Sequence, residues 1–387
     1  MIIDCDCHFF PRDAFEHMSD SLRERAPRLV YSAENVLVDI EFPGRPEQVP
    51  GTTPNSPPGS GARYVGMSDM GRRVADYVEL GIERQMMLPQ FTGWWSYLIE
   101  PELGTAMAHS YNVAAASLAA EQAGTIHPVA LVALQDVDGA VAELEWAHVN
   151  GFRAAVLDHT FPVREHPYGT PTATHRETWP FFAKCEELGV PVYFHAVQHG
   201  HRMVNLMNYQ VDGMDLFTPS EPQMNLVAMI TSGLLDRYPR LQVVHAELGA
   251  GRIRPMAEAL DDRYHKLEGD YEGADGFNAI TRRKLGSNTE QLVEPETIAE
   301  KNEHAPSHYF RENFSWTIET EEPALADGVA YLGAKRFLFA TDYPHDDPGG
   351  SMKFRDVELL AADDRFTEDQ KEQMRWRNAA ALFGVAI

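Results

Sequence analysis

The stretch that decides the fold of this chain is MIIDCDCHFFP, residues 1–11. From Ile3 to His8, apolar and polar side chains alternate, which predicts a β-strand over Ile2–His8. Because successive side chains of a strand point to opposite faces, Asp4, Asp6 and His8 are expected to share one face. Carboxylates and an imidazole turned toward a protein interior are costly without partners, and a divalent cation is the natural partner for such a row. The stretch therefore predicts a buried first strand that carries metal-binding groups.

Three other residues of this strand are expected to be structural. Cys5 and Cys7 occupy the opposite face, where two small buried apolar side chains are the simplest interpretation and thiolate ligation is the alternative. Asp4 lies one step deeper than Asp6, and we expect it to make a structural hydrogen bond only.

The rest of the chain alternates short β-rich runs with longer amphipathic stretches, a pattern typical of βα units around a parallel sheet. The predicted strands number eight, as a closed barrel requires: Ile2–His8, Arg84–Leu88, Ile126–Val132, Phe152–Leu157, Val190–Ala196, Leu241–Glu247, Phe314–Ile318 and Phe337–Thr341. Predicted helices include Glu177–Leu188, Pro222–Arg237, Pro255–Tyr264 and a closing helix, Glu368–Leu382. The predicted fold class is α/β, a (β/α)8 TIM-type barrel.

Two stretches are too long for a minimal βα unit. Residues 43–62 are rich in Pro, Gly and Ser, which predicts an irregular excursion after the first strand. Residues 265–313 predict a helical insertion between strands 6 and 7, over the barrel mouth. Long excursions in compact enzymes are usually lids or binding loops, although a surface loop without function is the alternative for the first. With no internal repeat or linker, residues 1–387 are expected to form a single domain.

The composition argues against several classes of partner. A formal net charge of −25 disfavours nucleic acid and anionic membranes, which both select a basic face. No apolar run approaches the roughly 20 residues that cross a bilayer, and the first residues lack the layout of a secretory signal. The three cysteines, an odd and sparse set, suit a reducing compartment. We therefore expect a cytoplasmic protein that acts on a small molecule.

Three later predicted strands end, like the first, in His, Glu or Asp. The fifth strand, VPVYFHAV, carries His195, and the sixth, LQVVHAELGAG, carries His245 and Glu247 two residues apart and so on one predicted face. The eighth, RFLFATDYPHD, ends in Asp342 and, past the turn, His345. Because the catalytic groups of barrel enzymes lie at the C-terminal ends of the strands, these side chains are expected to converge with the first strand.

These motifs resemble those of the amidohydrolase superfamily, in the branch of amino-carboxymuconate-semialdehyde decarboxylase and the resorcylate decarboxylases. The resemblance covers nearly the whole chain through DCDCHFFP, LGIERQMMLP, TWPFFAKCEELGVPVYFH, AMITSGLLDRYPRLQVVHAELG, PSHYFRENFSWTIE, FLFATDYPHDD and RNAAALFG. In that family, H-x-H or E-x-H on the first strand binds a metal, and Asp6 and His8 match those positions. His195 matches the metal-binding histidine of strand 5, and Asp342 matches the aspartate of strand 8. The resemblance implies one divalent ion, Zn²⁺ as the first expectation and Mn²⁺ as the second.

The sixth strand departs from the family pattern. Aligning ELGAG here with HxGE in the decarboxylases puts Glu247 where those enzymes keep a catalytic histidine. His245 is expected on the same inward face, so either side chain could transfer a proton, and Glu247 is preferred because it lies nearer the rim. In that case His245 is expected to hydrogen-bond Glu247 or to lie one layer down in the core.

Residues that follow the strands are expected to contact substrate. Trp94, after the second strand, could form a wall for an aromatic ring, with packing beneath the first excursion as the alternative. The other candidates follow strands 5, 7 and 8: His199, Glu319 and His345. Arg73 and Arg84 are possible clamps for a carboxylate, but a surface role is preferred for both.

Two reactions are compatible with these parts. The first expectation is hydrolysis, in which a metal-activated water attacks a carbonyl (a C–C bond beside a ketone, a thioester, an ester or an amide), with Asp342 or Glu247 as the base. The alternative is non-oxidative decarboxylation of a hydroxylated aromatic or related unsaturated acid, and hydration of a double bond is a third. The expected substrate is an aromatic or keto acid, and the resemblance implies a homodimer. An inactive barrel that only binds ligands would show gaps in the metal set, and none is visible.

Overall fold

The computed structural model describes residues 1–33, 37–41, 64–90, 100–122, 124–157, 172–195, 220–266, 302–345 and 354–386, with residues 37–41 and 220–221 described by their backbone alone. The predicted excursion at 43–62 lies outside the described residues, as does the 267–301 part of the predicted insertion. The substrate-contact candidates Trp94 and His199 lie outside them as well.

Eight parallel strands pair side by side into a nearly closed barrel: β1 Ile3–Phe9, β4 Arg84–Pro89, β5 Ile126–Leu131, β6 Ala154–Leu157, β7 Val192–His195, β8 Val243–Ala246, β9 Phe314–Ile318 and β10 Phe337–Phe339. All eight predicted strands are present, with small shifts at their ends, and the predicted barrel is confirmed. A separate antiparallel ribbon of β2 Arg28–Tyr31 and β3 Leu37–Glu41, which the sequence pattern did not predict, follows β1.

Helices follow the strands along the chain: Asp20–Arg23, Met70–Leu80, Pro101–Glu121, Val137–Val149, Trp179–Leu188, Ser220–Thr231, Leu234–Arg237, Ile253–Lys266, Pro306–Glu312, Leu325–Leu332, Asp356–Ala362, Glu368–Glu372 and Asn378–Phe383. The stretch predicted as one helix at Pro222–Arg237 is two helices, because Gly233 adopts a left-handed φ of 79° between them. The predicted closing helix contains a π-helical turn at Gln373–Arg377. No helix in the described ranges combines the length and apolar character needed to span a membrane.

Local sequence signals account for where several helices begin and end. Asp69 accepts a hydrogen bond from the backbone of the first turn of Met70–Leu80, as an N-cap does, and Gly81 ends that helix in a left-handed conformation. Thr367 and Gln370 form a reciprocal capping box at the start of the closing segment.

The barrel closes where β1 meets the chain that leaves β10. The amide of Asp342 donates to the carbonyl of Asp6 at 2.9 Å, and the amide of His8 donates to the carbonyl of Tyr343 at 2.6 Å. The seam therefore fixes the two chain segments that carry the first-strand and eighth-strand polar groups. Because both bonds join backbone atoms, the seam holds the spacing of these segments whatever their side chains are.

Asp4 does not share a face with Asp6, because the register of β1 against β4 shifts between Asp4 and Cys7. Its carboxylate accepts from the Tyr77 hydroxyl of helix Met70–Leu80 at 2.7 Å and from the Thr341 hydroxyl at 2.5 Å. Burial raises the pKa of Asp4 to about 7. The expected shared face is thus wrong for Asp4. Its structural hydrogen bonding is as expected.

Candidate metal centre

Four side chains converge at the C-terminal end of the barrel. Asp6 and His8 come from β1, His195 ends β7 and Asp342 follows β10. One ligand atom from each lies within 4.8 Å of the other three. His8 Nε2 is 3.0 Å from Asp342 Oδ1, and His195 Nε2 is 3.3 Å from Asp6 Oδ1. Within the described ranges, this is the one group of three or more His, Cys, Asp or Glu residues that meets in this way.

The residues present fit a divalent cation. Asp6 Oδ1, His8 Nε2 and Asp342 Oδ1 are buried, and apart from their contacts with one another and with His195 none of them has a hydrogen-bond partner among the described residues. Buried polar atoms without further partners are costly, so three such atoms within 4.8 Å of one another favour a cation that accepts their lone pairs. Two imidazole nitrogens and two carboxylate oxygens form a mixed set that Zn²⁺ and Mn²⁺ both accept, with positions left for water or substrate.

Neighbouring charges shift the pKa values of His195 and Asp342 in the direction opposite to the effect of burial. Burial disfavours the charged form of His195, yet the carboxylates of Asp6 and Glu247 raise its pKa to about 10. Burial also disfavours ionised Asp342, but His345 and His8 beside it lower its pKa to about 2. The charge states of these carboxylates and imidazoles therefore depend on one another, as is typical of a cluster of metal ligands.

Glu247 reaches this group through an unusual backbone turn. It follows β8 with a φ of 55°, in the left-handed region that residues with a Cβ seldom adopt. The turn brings Oε2 to 3.8 Å from His195 Nδ1, with 30% of the side chain exposed. Burial, together with the nearby carboxylates of Asp342 and Asp6, raises the pKa of Glu247. The structure thus brings the predicted acid–base candidate beside the four metal-binding candidates.

His245 lies on the opposite face of β8, and the expectation that it faces inward beside Glu247 is wrong. In the β7–β8 pair, His245 is opposite Phe194, whereas Ala246 is opposite His195. The imidazole packs 5.9 Å from the Phe194 ring and 5.4 Å from the Phe314 ring, in the layer under the helices. Burial lowers its pKa to about 3. The outward placement separates His245 from the converging side chains, so the catalytic alternative assigned to it has no geometric support.

Two predicted rim residues lie near the four side chains. The ring of His345 is 5.0 Å from that of His8, and its Nε2 is 3.0 Å from Gln90 Oε1. Burial, then the neighbouring carboxylates of Glu322 and Asp342, raise the pKa of Glu319 to about 7. Both positions remain candidates for contact with substrate.

The sequence analysis missed two buried polar residues of this rim, Gln90 and Thr317. Gln90 directly follows β4, and Thr317 lies in β9 with its hydroxyl 3.3 Å from Asp6 Oδ2. Each is at the C-terminal end of a barrel strand, the position that could have singled them out.

Arg73 is wholly buried, so the surface role preferred for it is wrong. Its Nη1 donates to the carbonyl oxygen of His8 at 2.6 Å, which holds the backbone of a metal-binding candidate. Three aromatic rings lie within 5.5 Å of the guanidinium: those of Phe9, Tyr77 and Tyr343. Arg84 is partly exposed and donates to the carbonyl of Ala386 at the start of β4, away from the rim. Neither arginine reaches the converging side chains.

Comparison with known proteins identifies a family and relatives of this chain. The family profile described as amidohydrolase matches residues 3–385. A γ-resorcylate decarboxylase of Rhodococcus jostii is 25% identical over 305 residues, which cover 73% of this chain and 78% of the relative. A γ-resorcylate decarboxylase of a Polaromonas species is 24% identical over 219 residues, covering 53% of this chain and 54% of the relative. That second match thus spans about half the length of the relative.

Solved structures share the fold over the whole chain. The 5-carboxyvanillate decarboxylase of Sphingomonas paucimobilis superimposes with a TM-score of 0.69 at 21% identity, covering 100% of this chain and 99% of the other. A dihydroxybenzoic acid decarboxylase of a Polaromonas species, with bound manganese and 2-nitroresorcinol, gives a TM-score of 0.65 at 19% identity, covering 99% and 96%. With a family match that extends over nearly all of its residues, this chain is an enzyme that belongs to the amidohydrolase family.

Proposed function

We propose that this enzyme catalyses the non-oxidative decarboxylation of a hydroxylated aromatic carboxylic acid, with a divalent ion held by Asp6, His8, His195 and Asp342. The observation that carries the proposal is the inward turn of Glu247, which brings a carboxyl group to 3.8 Å from His195 at the edge of the metal-binding set. A decarboxylase needs a proton donor beside its metal. The known activities of the γ-resorcylate and 5-carboxyvanillate relatives favour this reaction over hydrolysis, the first expectation from sequence.

In this reaction the bond between the ring carbon and the carboxylate breaks, CO₂ leaves, and the ring carbon gains a proton. Glu247 is the residue that would donate this proton, and its partly exposed side chain could regain one from solvent. An ion held by Asp6, His8, His195 and Asp342 would supply Lewis-acid stabilisation of negatively charged substrate oxygens. His345 with Gln90, and Glu319 near Asp342, would orient ring hydroxyl groups by hydrogen bonding.

Mn²⁺ and Zn²⁺ are both candidates for the ion. Two carboxylate oxygens in the set suit Mn²⁺, and manganese is present in the Polaromonas decarboxylase structure. Mn²⁺ is therefore the ion to test first. Zn²⁺ is tested as well, because the imidazole nitrogens of His8 and His195 are ligands that it commonly binds.

A second candidate is hydrolysis of a carbonyl compound. It is favoured by one specific observation, namely that Glu247 and Asp342 are both carboxylates, which suit removal of a proton from water. The homodimer, the cytoplasmic location, the single domain and the substrate contacts of Trp94 and His199 remain predictions.

The test begins with elemental analysis of protein purified without added metal, followed by chelation and refilling with Mn²⁺ or Zn²⁺. The refilled enzyme is assayed in D₂O against hydroxybenzoic acids, and in parallel against keto acids, thioesters and esters. Release of a phenol with deuterium at the former carboxyl position, in proportion to bound metal, is expected. Turnover of the carbonyl compounds alone would assign the second candidate. A protein that binds neither ion would contradict both.

A further inference from the structure

The hydroxyl group of Thr317 joins two parts of the site that lie far apart in sequence. Thr317 lies in β9 and is 8% exposed. Its Oγ1 donates to Asp6 Oδ2 over 3.3 Å and accepts from the backbone amide of Glu247 over 3.2 Å. A hydroxyl has one proton to donate and two lone pairs that can accept, so both bonds form at once. The same oxygen therefore touches a metal-binding candidate and the acid–base candidate.

The first bond fixes the rotation of the Asp6 carboxylate. With Oδ2 held by Thr317, Oδ1 is left facing the two imidazoles, 3.3 Å from His195 Nε2 and 3.6 Å from His8 Nε2. Residues that form hydrogen bonds with metal-binding side chains fix the orientation of those side chains. Their removal typically lowers metal affinity or activity about 10- to 100-fold. Thr317 occupies that position for Asp6.

The second bond holds the turn that brings Glu247 inward. A left-handed φ is unfavourable for a residue with a Cβ, so it needs support from its surroundings. The amide of Glu247, at a φ of 55°, is held by Thr317 Oγ1. Without this turn, the alternation along β8 would send the side chain toward the helices, on the side where His245 lies.

We propose that Thr317 is a positioning residue whose single hydroxyl orients the metal ligand Asp6 and the acid–base residue Glu247 together. The affinity for the metal and the rate of proton transfer then both depend on the hydroxyl group of Thr317. The proton-transfer part rests on the proposed function, whereas the metal-affinity part does not.

The test compares three variants of the full chain. Thr317→Val removes the hydroxyl at nearly constant volume, and Thr317→Ser keeps it. Thr320→Val is the matched control, because Thr320 Oγ1 donates to Asp356 Oδ1 at 2.7 Å, outside the metal-binding set. The dissociation constant for Mn²⁺ is measured by competition with a chelator. The kcat and KM are measured at saturating Mn²⁺, and the melting temperature is measured without metal.

Thr317→Val is expected to weaken Mn²⁺ binding about 10- to 100-fold and to lower kcat by a similar factor at saturating metal. Thr317→Ser should keep both close to wild type, and Thr320→Val should change only the melting temperature. Wild-type Mn²⁺ affinity in Thr317→Val, or an equal loss of affinity in Thr320→Val, would overturn the proposal. If Thr317→Val does not fold, Thr317→Ala removes the same hydroxyl. Failure of the proposed function would show as a wild-type enzyme without turnover, while the Mn²⁺ affinities still decide the role of Thr317.

Discussion

Two buried histidines on neighbouring strands, His195 and His245, face opposite sides of the barrel wall. On β7, His195 faces the interior, 3.3 Å from Asp6 Oδ1, and nearby carboxylates outweigh burial to raise its pKa to about 10. On β8, His245 lies between aromatic rings, and burial lowers its pKa to about 3. Both rings are buried, so the carboxylates around His195, and not burial alone, account for the difference.

This difference shows how strongly the direction of a side chain decides its role. His245 is opposite Phe194 in the parallel pair, one position away from His195. Because successive side chains of a strand alternate between its two faces, a shift of one position moves a side chain from the metal-binding candidates to the aromatic layer. Substitutions at both histidines and at residues beside His195 test the contrast.

The largest effect is expected from the inner histidine and its neighbours. His195→Ala or Asp342→Asn should abolish metal retention and turnover, because the first removes one of the four donor atoms that converge and the second replaces a charged carboxylate donor by a neutral amide. Elemental analysis and an activity assay on the same preparation measure both. Activity retained by a metal-free Asp342→Asn protein would show that these residues do not form the working centre.

A smaller loss of turnover is expected from substitution of Glu247, which lies beside the four metal-binding candidates but is not one of them. Glu247→Gln should leave the metal content unchanged and lower kcat by about 10²- to 10⁴-fold, as for loss of a general acid or base. Metal content and kcat are measured together, with Glu319→Gln as the comparison at the same rim. Unchanged turnover in Glu247→Gln would move proton transfer to another group.

The smallest effect is expected from the outer histidine. Neither nitrogen of His245 has a hydrogen-bond partner among the described residues, so His245→Leu should preserve metal content and turnover. It should also change the free energy of unfolding at pH 7 by less than about 1.5 kcal/mol. Measurable loss of metal or turnover in this variant would contradict the outward placement.

The outer position of His245 also predicts how stability depends on pH. Below its ordinary pKa of 6.5, the unfolded chain binds a proton at His245 that the folded chain excludes until about pH 3. The folded state of the wild type should therefore lose up to about 1.4 kcal/mol per pH unit from this group as the pH falls below 6.5. His245→Leu lacks this contribution. Urea unfolding of both proteins at pH 7 and pH 5 measures this contribution. If the free energies of unfolding of the two proteins differ by the same amount at both pH values, His245 does not contribute to the pH dependence.

Several features of the protein follow from its sequence alone. The eight strands were predicted because short apolar runs rich in β-branched and aromatic residues alternate with amphipathic stretches, a signal local to each segment. The positions of polar side chains at the ends of parallel barrel strands predicted that they meet at one rim, and the resemblance to the amidohydrolase superfamily implied which four bind the metal. Their convergence within 4.8 Å agrees with that expectation.

The tertiary structure alone decided which way the remaining side chains face. A register shift turns Asp4 toward the helices, the pairing of β7 with β8 turns His245 outward, and a left-handed turn brings Glu247 inward. Local patterns do not contain this information, because register depends on pairing with another strand and the turn on what supports it. The bond from Thr317 to Asp6 spans 311 positions of the chain, and the barrel had to form before either residue could orient the other.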